Sequence, residues 1–459
     1  MKHLGIEVPV KNVPELDPGF LPLGKFCTAF LKDAKKPLDI AVERAGGEVA
    51  VYKTFIHGTP DMAEADIYYV DRIIKMLLWM KGGFKVYLSG NQAVYEAMKA
   101  TYCVGGARAF DADFMSNVYE KPFEVVYCDQ VPAEKSNPQA VGRHLGGCRI
   151  GFDAGGSDRK VSAVIDGEPV FSEEVVWFPK TTSDPDYHYE GIVSALKAAA
   201  EHMPRVDAVG VSSAGIYIEN RTMVASLFLK VSKEDFDAKV KDIYIRAIRD
   251  TFGDVPYVVA NDGDVSALAG AMSLEEDNIL GIAMGTSEAV GYVDANGNIT
   301  GWLNELAFSP VDVSPNAMED EWSGDIGCGV KYFSQDSVIK LAPAAGISLS
   351  ADLSPAEKLK EVQKLMDQGG SPAEAIYRSI GVYLGHSLAL YHHFYGFKHV
   401  LLLGRVMSGR GGDIILDTCK KVLADEYPEV AGLMNPTLPD EKARRVGQSV
   451  AAASLPELR

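Results

Sequence analysis

The sequence predicts an α/β protein built on a repeated β-hairpin and preceded by a further α/β region. Two observations carry the repeat. "RIGFDAGGSDRKVSAVIDGEPV", residues 149–170, is an apolar strand that stops at Asp153 and crosses Gly155, Gly156 and Ser157. It resumes as an alternating, β-branched strand closed by the turn pair Asp166-Gly167. "NILGIAMGTSEAVGYVDANGNITGW", residues 278–302, has the same order of parts, with Ser287 to Gly297 spaced as Ser157 is from Gly167. Shared turn residues at one spacing point to duplication. A third observation completes the class: apolar strands ending near Asn261 and Leu403 each run into a helix-like segment.

At 459 residues the chain is long for one core, and two or three domains are expected. A net charge of -18 with no polybasic run argues against nucleic acid, whose backbone is held by clustered Lys and Arg. Six scattered cysteines without a CxxC pair fit a reducing, cytoplasmic setting. No run approaches the ~18 apolar residues that cross a bilayer, so no membrane partner is expected.

Residues 1–146 are nearly balanced in charge, with 17 basic and 18 acidic side chains, so the acidic excess lies beyond them. "PLDIAVERAGGEVAVYKTFIHG" reads as a hairpin, "MAEADIYYVDRIIKMLLWMKGG" as an amphipathic helix, and "FKVYLSGNQAVYEAMKATY" as strand, turn and helix. This is a small α/β unit, not a trihelical DNA reader.

The first glycine turn leads into a strand. Walker loops and dinucleotide fingerprints lead into a helix whose amides hold the anion, so both are excluded. Two hairpin turns of small residues, at Gly155–Ser157 and Gly285–Ser287, could instead grip a polyphosphate through free amides. Asp153 at the strand end would hold magnesium through water, or else cap the turn. In "VPYVVANDGDVSALAGAM", residues 255–272, Asp262 stands between strand and helix, placed to take a proton from a hydroxyl or to cap the helix; Asp264 could cap it equally. Ser-Pro-Ala-Glu stretches at Ser354 and Ser371 are capping boxes that start two helices without a catalytic role. In "HVLLLGRVMSGRGGDIILDTCKKVLADEY", residues 399–427, Gly404, Gly409, Gly411 and Gly412 form a strand-to-helix loop that could lie flat on an adenosine.

A phosphate hairpin, an Asn-Asp strand end, a second phosphate hairpin and a late adenosine loop, in that order, resemble the actin, hexokinase and heat-shock ATPase superfamily. Within it the chain looks most like the ROK sugar kinases and sugar-responsive regulators, over roughly residues 148–456. "VDAVGVSSAGIYIENRTMV", 206–224, is similar to the family's sugar-pocket strand, "NELAFSPVD", 304–312, to its sugar-binding Glu segment, and "KARRVGQSVAAASL" to its closing helix. The resemblance implies two ribonuclease-H-like lobes of the actin-like ATPase fold plus an N-terminal α/β domain. Residues 1–146 would be accessory, 147–262 with 443–459 the first lobe, and 263–442 the second.

It further implies ATP-dependent phosphorylation of a hexose or N-acetylhexosamine, with Asp262 as base and Asp153 on magnesium. Gly155, Gly156, Ser157, Gly285, Thr286, Ser287, Gly404 and Arg405 would take ATP, and Ser213, Asn261, Asp262 and Glu305 the sugar. The partners are then the sugar and ATP, with a homodimer as the default assembly. Three departures stand against this. Phe308 replaces a zinc-binding His, and Cys328 is the sole cysteine of "WSGDIGCGVKYFS", so no zinc is expected. Glu288 follows the second phosphate turn, where a carboxylate repels phosphate unless it points away or is balanced by Arg159, Lys160 or magnesium. Arg405 replaces a glycine and could cover the adenine or block it. The alternatives are a sugar- or nucleotide-sensing protein without transfer chemistry, and an ATPase that drives a partner.

Overall fold

The computed structural model describes residues 1–136, 141–369, 371–439 and 447–458. The chain divides into two compact units. One comprises Pro138–Gly281, Gly291–Gly301 and Pro439–Arg459; the other comprises Met1–Asn137, Ile282–Val290 and Trp302–Leu438. These are not the three parts expected. The stretch 1–137 clusters with most of the expected second lobe, while 263–281 clusters with the first; the boundary placed at 443 lies outside the described residues.

The unit containing Cys148–Ala154 is organised by a five-stranded sheet in the order Tyr257–Asn261, Ala208–Ser213, Cys148–Ala154, Asp158–Ile165 and Glu168–Val176. The three strands from Cys148 to Val176 form an antiparallel meander, and the next two add in parallel on its other side. This is the order expected of a ribonuclease-H-like lobe. Asp166 and Gly167 both have positive φ, 49° and 89°, as the two-residue turn of a twisted hairpin requires. Ile150, Phe152, Trp177, Leu196 and Phe228 fill the core. The expected closing helix is Gln448–Ala453, while 440–446 lie outside the described residues. It lies directly on the sheet, because a Cβ at Gly151 or Gly210 would collide with the carbonyls of Ser449 or Ala452.

In the other unit, the N-terminal hairpin, helix and strand-turn-helix all form as expected. Val49–Ile56, Lys36–Glu43, Lys85–Ser89 and Glu124–Tyr127 make a four-stranded sheet, accompanied by helices Ala63–Lys81, Gln92–Thr101 and Ala109–Tyr119. This part is not a separate core. Phe20, Leu23 and Phe26 are fully buried, and Phe20 meets the Tyr383 ring edge-on at 4.7 Å. Leu21 N–H donates to Asp312 Oδ1 at 2.9 Å, and the Tyr383 hydroxyl to Asp17 Oδ2 at 2.6 Å.

A second sheet has the order Glu288–Val293, Ile279–Met284, His399–Leu403 and Asn435–Thr437. The repeat is therefore shortened. The first hairpin leads into a third strand, but directly after Gly297 the chain makes the isolated bridge Val293 to Ile299 in place of one. Helices Ser371–Tyr395 and Arg410–Glu426 pack closely: a Cβ at Gly381 would come within 2.6 Å of Thr418, and one at Gly385 within 2.6 Å of Val422. Ser354 forms the expected capping box with Glu357. Ser371 does not, because it already lies inside its helix, and Glu374 pairs with Arg378 and Arg410 instead. Among the described residues no helix is long and apolar enough to cross a membrane.

Candidate active site

The parallel pairing of three strands brings their carboxyl ends to one edge. Ser212 sits opposite both Asp153 and Ala260, and Ser213 opposite Ala154 and Asn261. Open α/β sheets bind ligands at such edges. The Ser212 hydroxyl donates to Asp153 Oδ1 at 2.8 Å. Gln448 Nε2 donates to Ser212 Oγ at 2.9 Å and to the Asp262 carbonyl at 3.0 Å, tying the closing helix to this edge. Gln448 was not singled out from the sequence. No motif surrounds it, and its role comes from a helix returning from the far end of the chain.

Burial pushes the Asp153 carboxyl up to about 6; the Ser212 hydrogen bond opposes the shift and the charge of Asp262 adds to it. Asp262 is the first residue of the helix Asp262–Leu274, whose cap is Asn261: the Asn261 Oδ1 accepts from Gly263 N–H at 2.7 Å. Neither Asp262 nor Asp264 is the cap. Asp264 is buried and accepts the Tyr292 N–H at 3.1 Å. Asp262 is left half-buried, its carboxyl raised by burial against backbone hydrogen bonds and the charge of Lys180.

Two expected sugar contacts are engaged elsewhere. Asn261 Nδ2 donates to the Gly215 carbonyl at 2.7 Å, so the capping side chain is occupied at both ends. Ser213 is fully buried and its hydroxyl bonds Tyr244 at 2.8 Å, because the helix Ile243–Phe252 packs over that strand end.

The first glycine turn carries an unforeseen cation. Gly155, Gly156 and Ser157 join the first two strands, and the Trp177 indole N–H holds the Gly155 carbonyl at 2.7 Å. Lys180 follows that tryptophan and lies against the turn: a Cβ at Gly156 would stand 2.6 Å from its Cε and 2.8 Å from its Nζ. Lys180 is exposed. Arg159 instead faces Ser194 at 3.0 Å and the Trp177 ring, while Lys160 is shared between Asp158 and Glu174. The residues suit magnesium at Asp153, since a half-buried carboxyl whose proton affinity is raised by burial and by the charge of Asp262 is relieved by a cation.

In the other compact unit, the second glycine turn and the late loop meet. The Gly285 N–H donates to the Ser287 carbonyl at 3.0 Å, and the Gln335 N–H to the Gly285 carbonyl at 2.9 Å; Thr286 is the turn's tip. Gly404, with φ 95°, lies so close to Met284 that a Cβ would collide with its backbone. Arg405 is exposed, and its carbonyl accepts from Gln363 Nε2 at 2.7 Å. Glu288 points away from the turn. It is buried, both its oxygens lack a hydrogen-bond partner, and burial together with the charge of Glu305 raises its carboxyl far above the usual range. No balancing Arg or Lys is needed.

Glu305 is half-buried and its N–H donates to the Trp79 carbonyl at 2.9 Å, so the N-terminal helix holds the expected sugar-binding segment. Phe308 joins Trp79, Phe110 and Phe114 in an aromatic cluster, with ring centroids 4.4, 5.7 and 6.4 Å away. Cys328 is fully buried beside Lys75, and burial pushes its thiol up to about 11. A neutral thiol facing an ammonium is not a zinc donor set. The same loop is held by Asp325, which pairs with Arg72 at 2.9 Å, Lys75 at 2.8 Å and Arg108 at 2.8 Å.

Neither a protein-family model nor a curated protein matches the chain. Solved structures do. The crystal structure of a ROK hexokinase from Thermus thermophilus aligns at 18% identity with a TM-score of 0.51, covering 67% of this chain and 97% of that one. A ROK family transcriptional regulator, a homologue of the E. coli MLC protein, aligns at 16% identity with a TM-score of 0.50, covering 68% of this chain and 79% of that one. Over about two thirds of its length the chain therefore has the α/β fold of the ROK hexokinase and regulator structures.

Proposed function

We propose that the protein transfers the γ-phosphoryl group of ATP to a sugar hydroxyl. The observation that carries the reading is the pair Asp153 and Asp262: two carboxyls at one sheet edge, both with raised proton affinity, one of them at the start of a helix capped by its neighbour. A carboxylate of raised pKa is a stronger base. Asp262 would take the proton of the attacking hydroxyl as the new O–P bond forms and the bond from Pγ to the ADP oxygen breaks. Lys180, with the amides of Gly155, Gly156 and Ser157, would hold the charge of the transferred group. Gly285, Thr286 and Ser287 would take nucleotide phosphates, with Gly404 and Arg405 on the adenosine side. Asp153 would hold magnesium, which when bound supplies positive charge to the phosphates. Glu305 remains the proposed sugar contact, in a segment that also presents the rings of Phe110, Phe114 and Phe308.

A second reading, a sugar- or nucleotide-sensing protein without transfer chemistry, is favoured by the engaged side chains of Asn261 and Ser213. The deciding experiment is ADP release from magnesium-ATP against a panel of hexoses and N-acetylhexosamines, with an ATP-only control. Sugar-dependent release is expected. Release without sugar would make the protein a partner-driving ATPase, and silence alongside measurable ligand binding would make it a sensor.

A further inference from the structure

The second glycine turn leads directly into a buried carboxyl without a hydrogen-bond partner. Glu288 is 3% exposed, yet neither carboxyl oxygen has a hydrogen-bond partner. Buried polar groups are almost always paired, and an orphan signals an absent water or ion. Here the orphans gather. The Ser309 hydroxyl is fully buried and unpartnered, and the Ser309 carbonyl accepts the Gly329 N–H at 2.9 Å. The Tyr391 hydroxyl is likewise buried and unpartnered; burial holds its proton on, and the nearby Glu288 carboxyl adds to this.

Gly329 marks the centre of this group. A Cβ there would collide with both Glu288 Oε2 and the Leu306 carbonyl oxygen, so two acceptors converge on one glycine; the carbonyl takes the Ser309 N–H at 2.9 Å, while the carboxyl takes no donor. Acceptors facing one another repel unless a proton or a cation stands between them. A divalent ion gathers several carboxylates or keeps its own water. This place offers one buried carboxyl, a carbonyl and hydroxyls, and a single positive charge that displaces the carboxyl's proton leaves the site neutral.

We propose that Glu288, the Leu306 carbonyl and the Tyr391 hydroxyl form a buried site for a monovalent alkali cation. Bound there, the ion joins the start of the strand Glu288–Val293 to the short turns Leu306–Phe308 and Gly329–Lys331, bracing the base of the turn Gly285–Ser287. The proposal does not rest on the phosphoryl-transfer reading, and its test needs no substrate.

The test is thermal unfolding of the full chain at constant ionic strength in potassium, sodium or choline chloride. Wild type should melt at a saturably higher temperature in one alkali chloride than in choline chloride, by about 3 °C at a hundredfold excess over the apparent dissociation constant. Glu288→Gln should abolish that difference, and Tyr391→Phe, which keeps the ring, should move its midpoint to higher salt. Equal wild-type melting in all three salts would overturn the site. So would a salt response that Glu288→Gln retains, or a Glu288→Gln protein that is more stable than wild type in every salt, since Glu288 would then be a neutral buried acid.

Discussion

Lys180 lies across Gly156 so closely that a methyl group on the glycine would press on the lysine stem at 2.6 Å. The ammonium thereby stands beside Gly156 and within electrostatic reach of Asp262. Lys180→Ala should lower turnover by about tenfold to a hundredfold, the worth of one charge-assisted hydrogen bond, with Lys180→Arg restoring part. Gly156→Ala should act in the same direction by displacing the stem. Steady-state kinetics on both variants decide it, and wild-type rates would remove Lys180 from the site.

Asp262→Asn keeps the shape of the first helical turn, because the cap is Asn261. Turnover should fall by roughly 10²- to 10⁴-fold, the usual weight of a general base, while ATP affinity stays within about twofold. Calorimetry and kinetics on one preparation separate the two effects. Retained turnover would exclude Asp262 as base.

Asp153 makes the protein's stability depend on pH. Its folded value of about 6 lies above the ordinary carboxylate value of about 4. Between the two, the native state holds a proton that the unfolded chain has released, so stability falls as pH rises through that window. In chelator, Asp153→Asn should melt above wild type at pH 7 and level with it at pH 4. A variant less stable at both would mean that Asp153 is held as a carboxylate by its surroundings.

Asp325 ties the loop of Cys328 to Arg72 and Lys75 of the helix Ala63–Lys81 and to Arg108. Asp325→Ala leaves buried cations short of a partner and should cost about 3–5 kcal/mol in denaturant unfolding. A zinc-selective chelator should leave the wild-type melting temperature unchanged, and stoichiometric zinc in metal analysis would contradict the assignment of this loop.

Deletion of residues 1–136 should fail to yield a folded remainder, because Phe20, Leu21 and Asp17 are built into the core and hydrogen bonds of the unit they share with Asp312 and Tyr383. A soluble, monomeric truncation with a sharp melting transition would restore the separate accessory domain.

Much of the fold was legible because it is written in local period and turn chemistry. Alternation, Asp166-Gly167 and Asn296-Gly297 mark the hairpins, and the 3.6-residue pattern marks Ala63–Lys81. The third strand after Gly167 and its absence after Gly297 were not legible. The turn residues are alike, and the difference lies in what each following segment finds to pair with.

The same division runs through the site. The strand-end positions of Asp153 and Asp262 follow from apolar runs that stop at acidic residues, and those can be read along the chain. Whether a polar side chain is free for a ligand cannot, because that depends on neighbours far away in sequence. Ser213 is taken by Tyr244, Asp153 is answered by Ser212, which Gln448 in turn holds, Glu288 turns inward beneath Gly329, and Lys180 reaches back over Gly156. Secondary structure depends on interactions a few residues apart, and so sequence alone sets it here. Burial, pairing and proton affinity arise from the packing of distant segments, and only the folded chain decides them.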